Sequence, residues 1–203
     1  MNEIFSEFIR TKEGFFSDHS HGDSYRCSAT LKDGTFLPCV ILRDIGRYLN
    51  EIIPRLNALD KRKSFFSKKH TNDNYENILK LYLTSGNRIN NYDIKSLTKS
   101  KFAMPESLLN SIEGETTMGW TGFVLEMHDG SIFQYGTTYL VQFFDIPEKY
   151  SFEDVMKVHN HSYLNAANKI VRLQEGFMDI PDDYDISNTY RERPFFDCYV
   201  DLN

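Results

Sequence analysis

The stretch of this chain richest in metal-ligating groups is Asp18-His19-Ser20-His21-Gly22-Asp23, two histidines and two carboxylates within six positions. Histidines two apart on an extended backbone project to the same side, as the first two ligands of many zinc hydrolases do. Such a site needs further protein ligands beside an open position, and too many of them remain unassigned here. Residues 18–23 carry no apolar side chain and include Gly22, with Gly14 upstream, so the segment reads as a solvated loop. A second pair, His159 and His161, follows 140 residues later, and nothing in the sequence brings the pairs together. No metal and no other cofactor is expected.

His19, His21 and Asp23 are similar to the start of the His-x-His-x-Asp-His motif of metallo-β-lactamases, from which the chain departs at Ser24. The metal-dependent deubiquitinase motif needs Ser and Asp where Ala29 and Lys32 stand. The cysteines Cys27, Cys39 and Cys198 are an odd set without a C-x-x-C pair, which suits a reducing compartment. If Lys32-Asp33-Gly34 is a three-residue hairpin loop, Cys27 falls opposite Cys39; a two-residue Asp-Gly turn would pair it with Val40. Zinc bound by these two with His19 and His21 would lack the close cysteine knuckles of familiar modules, so a reduced, half-buried pair is expected. The chain has no Gly-x-Ser-x-Gly elbow, no phosphate-cradling Gly-x-x-x-x-Gly-Lys and no Gly-x-Gly-x-x-Gly. Catalysis has little support.

Charge is more informative. Residues 55–101 carry 11 basic and 4 acidic groups, net +7, while the rest of the chain carries 12 and 25, net −13. In the basic part, Lys61, Arg62, Lys63, Lys68 and Lys69 surround Phe65 and Phe66, a composition suited to phosphate contact with base stacking or to a solvated loop. A pI near 5.5 weighs against nucleic acid as the principal partner. In the acidic part, Asp179, Asp182, Asp183 and Asp185 surround Tyr184. The spacing lacks the central Gly and closing Glu of a calcium loop, leaving a solvated turn or a surface that meets a basic partner.

The elements that must position these residues come from patterning. Residues 25–42 and 120–144 are each a β-rich run, an Asp-Gly step and another β-rich run, predicting two antiparallel hairpins. The glycines around Trp120 suggest a bulge or a close backbone approach. Helical spacing is read over 44–59 with a break at Pro54, from Asp73 to a stop at Gly86, and from Pro105 to Gly114. Ser151 with Asp154 caps a helical turn, and Leu164, Ala167, Ile170 and Val171 predict a helix ending at Gly176. Phe196, Cys198, Val200 and Leu202 alternate as a final strand.

The expected fold is α+β: an antiparallel sheet of two hairpins and the C-terminal strand with helices inserted between them, as a single domain over 1–203 carrying a mostly helical, basic insertion at about 44–114. At 203 residues with 40% hydrophobic side chains the chain can bury about 70% of its unfolded surface. It shows neither a leader pattern nor an apolar run long enough for a membrane span, which points to the cytoplasm. The expected function is non-enzymatic binding of a basic protein, as in a neutralising or immunity-type protein, through Asp179, Asp182, Asp183, Tyr184 and Asp185. The alternatives are nucleic-acid binding by 55–101 and a metal-dependent hydrolase centred on His19 and His21.

Overall fold

The computed structural model describes residues 3–18, 22–47, 49–50, 54, 87–138, 142–173 and 181–202. They are mostly strands in antiparallel and mixed sheets with few helices, and they divide into two compact units: Met1–Thr98 with Phe195–Asn203, and Lys99–Pro194. No described helix is long and apolar enough to cross a membrane.

In the first unit, helix α1 (Glu3–Thr11) puts Phe5, Phe8 and Ile9 on one face. They pack with Cys27, Val40, Leu42, Cys198 and Val200 from one face of a sheet. That sheet contains β1 (Phe15–Asp18), β2 (Gly22–Leu31), β3 (Phe36–Asp44), β4 (Arg88–Ile89), β5 (Ile94–Lys99) and β11 (Phe196–Val200), in the order β1-β2-β3-β11-β4 with β5 also on β2. The predicted C-terminal strand forms, but it runs parallel to β3 and β4, so this sheet is mixed. Of the helix predicted over 44–59, Ile45–Arg47 (α2) is helical, with most of the remainder outside the described residues. The helix predicted from Asp73 to Gly86 also lies outside them.

The cysteine register differs from expectation. The loop is the three-residue one: Leu31 N–H donates to Thr35 O at 2.8 Å, and Gly34 takes φ +92°. A bulge between Cys27 and Ala29 then shifts the ladder by one, so that Cys27 pairs with Val40. Cys39 therefore does not face Cys27, whose thiol neighbour across the sheet is Cys198. An extra residue on one strand is invisible in an alternating pattern, because both strands remain apolar through the shift.

In the second unit, β6 (Thr121–Met127) lies between β7 (Ile132–Thr137) and β8 (Val155–Asn160), all antiparallel. The two predicted hairpins thus belong to separate sheets rather than one. The β6–β7 loop repeats the β2–β3 loop: Met127 N–H donates to Ser131 O, Gly130 has φ +84°, and Asp129 Oδ1 accepts from Ser131 N–H as Asp33 Oδ1 does from Thr35 N–H. Phe123, Leu125, Tyr135, Phe144 and Phe152 form the core, joined by Leu109 of α3 (Glu106–Leu109) and Ile112. The expected cap forms at Ser151 and Asp154, on a 3-10 turn over Phe152–Asp154.

The predicted helix through Leu164 and Val171 is instead a hairpin of β9 (Ser162–Leu164) and β10 (Ile170–Arg172). Asn165 decides it: its Oδ1 accepts from the backbone N–H groups of Ala167 and Lys169 at 3.1 and 3.0 Å, and Asn168 takes φ +55°. A side chain that claims local backbone donors competes directly with the helix.

Candidate functional site

The acidic run at 181–190 is a tight turn built around Asp185. Its Oδ1 accepts from the backbone N–H of Ser187 at 2.9 Å and of Asn188 at 3.3 Å, capping the 3-10 turn Ile186–Asn188. The Ser187 hydroxyl and the Asn188 amide also donate to this carboxylate. The Ser187 hydroxyl bond is the first cause holding its carboxyl below the usual range. Tyr184 points inward, stacked on Tyr163 at 5.4 Å and edge-on to Trp120 at 6.4 Å. Burial raises its phenol, while contacts with Thr189, Trp120 and Arg191 oppose that shift. Asp183 accepts from the Tyr163 hydroxyl at 2.8 Å, and Asp182 is exposed. Of the five residues singled out in the sequence, Asp179 lies outside the described residues, Tyr184 and Asp185 build the turn, and Asp182 and Asp183 occupy its surface.

A residue that sequence reasoning passed over fastens this turn to the sheet. Gln134 of β7 is buried; its Nε2 donates to Asp185 O at 3.0 Å and to Thr189 Oγ1 at 2.5 Å, and its Oε1 accepts from Leu164 N–H at 2.6 Å. Both amide hydrogens and the carbonyl oxygen are thus engaged within the fold, as a buried amide requires. Between the β9–β10 turn, β7 and the acidic turn lies a cleft of ≈ 390 Å³. Asn165, Asn168, Asn188, Asp185, Phe133 and Tyr190 line it with other groups, and among the described residues no lysine or arginine does.

The second histidine pair does not converge on one point. His159 Nε2 meets Glu126 Oε2 at 2.7 Å, whereas His161 places Nδ1 3.0 Å from Thr116 Oγ1 and Nε2 3.1 Å from Glu113 Oε2. A hydroxyl, an imidazole and a carboxylate in a row is the order of a nucleophile, its base and an orienting acid. Here Thr116 Oγ1 also accepts the Gly122 N–H at 2.9 Å, so the row pins the 113–122 loop to the corner between β8 and β9. His161 holds that corner at φ +50°, a conformation uncommon outside glycine. Among the described residues no group of three or more His, Cys, Asp or Glu could hold a metal ion. His19, His21 and the basic run at 61–70 lie outside the described residues.

Comparison with protein-family models, with curated proteins and with solved structures finds no match.

Proposed function

We propose that this is a binding protein rather than an enzyme, and that it engages a basic protein partner through the acidic turn at 181–188. The observation that carries the reading is the division of labour within that turn. Tyr184 and Asp185 are committed to the fold, so Asp182 and Asp183 are held at fixed positions on its surface, and among the described residues no ion pair joins either of them to a cation. Carboxylates fixed in place before binding lose little freedom on contact. The unit 99–194 that bears them has 15 acidic and 8 basic residues, which steers a cationic partner towards it. The neutralising or immunity-type role anticipated from composition follows the same logic, an acidic surface covering a basic one.

The test is the association rate with a lysine-rich polypeptide at low and moderate salt, for the wild type, for Asp182→Asn with Asp183→Asn, and for a control that removes equal charge elsewhere, Glu106→Gln with Glu148→Gln. The turn variant is expected to associate several-fold more slowly at low salt, and the control to stay near wild type. Equal slowing in both would assign the attraction to net charge and deny the turn any particular role.

A further inference from the structure

We infer that the cleft beside the acidic turn binds a neutral, polyhydroxylated ring, one or two sugar units in size. Its lining leaves a distinctive set of polar valences open. Asn165 Oδ1 is occupied by two backbone N–H groups, leaving its amide nitrogen as a donor. Asn188 is the converse: its nitrogen is given to Asp185, leaving its oxygen as an acceptor. Asn168, exposed and in the left-handed region, offers both. The Tyr190 hydroxyl adds a group that donates and accepts. Hydroxyls on neighbouring ring carbons have this same dual character, and carboxamides satisfy them without a net charge.

The other lining groups narrow the class. Phe133 and Tyr190, edge to face at 5.8 Å, supply an apolar wall for the C–H face of a ring. Among the described residues no lysine or arginine lines the cleft and the acidic Asp185 does, which disfavours phosphates and other anions. That carboxylate already accepts from two backbone N–H groups, a hydroxyl and an amide, which leaves it little capacity to clasp a cation. A volume of ≈ 390 Å³ falls at the lower end of the range for small-ligand clefts, roughly 300–1,000 Å³. Asp185 and Asn188 of the acidic turn line the cleft while Asp182 and Asp183 do not, so the sugar and the partner proposed above draw on different side chains of one turn.

The experiment titrates the full-length, ¹⁵N-labelled protein with neutral disaccharides (maltose, cellobiose, lactose and chitobiose) and follows the side-chain amide resonances of Asn165, Asn168 and Asn188. At least one sugar is expected to shift all three saturably. Asn168→Gly keeps the left-handed turn and removes the amide, and should weaken binding about fivefold, the worth of one hydrogen bond, with no change in melting temperature. Asn188→Ala should weaken it similarly; if that variant does not fold, Asn168→Gly decides alone. No shift with any of the four sugars, or shifts that survive Asn168→Gly undiminished, would each overturn the inference.

Discussion

The indole of Trp120 lies so close to Gly136 that a Cβ built on the glycine would sit 2.1 Å from Cζ2 and 2.6 Å from Cη2 of the ring. Gly122 approaches the same indole from β6, where a Cβ would lie 3.3 Å from Nε1. The guanidinium of Arg191 lies 4.6 Å from the ring centroid. Two adjacent strands therefore carry glycine at paired positions, Gly122 opposite Gly136, to seat one large side chain. Gly136→Ala is expected to destabilise the protein by about 1–3 kcal/mol, since neither indole nor strand can yield without repacking. Urea unfolding checks this; an unchanged midpoint would show that the indole moves freely.

The cysteines should behave as packing groups. Cys27, Cys39 and Cys198 are buried thiols. Burial pushes the Cys27 thiol well up, with Cys198 adding to it, and pushes Cys198 up to about 12, with Asp197 adding to it. Both are therefore thiols at neutral pH, and thiols are poor nucleophiles. Ellman's reagent at pH 8 is expected to find no reactive thiol in the native protein and all three after denaturation. One rapid equivalent in the native state would contradict the burial described above.

Acid should loosen the turns first. Asp33, Asp129 and Asp185 all hold their carboxyls below the usual range: Asp33 chiefly through the Thr35 backbone N–H, Asp129 through that of Ser131, and Asp185 through the Ser187 hydroxyl. A depressed folded-state pKa stabilises the fold at every pH above the unfolded value, about 3.9, and that contribution is lost as pH falls through the folded value. Melting temperature is expected to fall below about pH 4, and Asp185→Asn to lower it at pH 7 while reducing its further loss in acid. Asp182→Asn, on an exposed side chain, should leave melting within error. Equal effects of the two substitutions would refute the separate roles given to these residues.

Thr116→Val tests the pin between Thr116 and His161. The substitution keeps the shape and removes the hydroxyl that bonds His161 Nδ1 and receives the Gly122 N–H. Unfolding free energy should fall by about 1–3 kcal/mol, the cost of leaving a buried donor without its partner. No measurable change would show the contact to be dispensable.

The two Asp-Gly hairpins were legible because turn chemistry and flanking β-rich runs agree locally. The spacing of Phe5, Phe8 and Ile9 carries a local helical signal of the same kind. The β9–β10 hairpin was not legible, because Leu164, Ala167, Ile170 and Val171 imitate a helical face while the deciding contact is a single asparagine side chain. Gln134 shows the harder limit. Its partners lie 30, 51 and 55 positions away, so a lone polar residue in an apolar strand cannot announce that it joins three segments. The cleft was hidden for the same reason, since its walls come from segments far apart in the chain. The acidic run was visible at once, yet its composition could not separate the aspartate that caps a turn from those that face outward.

The central claim, that the working surface is acidic and meets a basic partner, is tested most directly by comparing binding of the wild-type chain to a lysine-rich polypeptide and to duplex DNA across a salt series. Binding to the polypeptide that weakens steeply with salt, together with no retention on DNA, is the predicted result. Tight, salt-sensitive binding to DNA with none to the polypeptide would contradict it and move the function to the basic segment at 55–101.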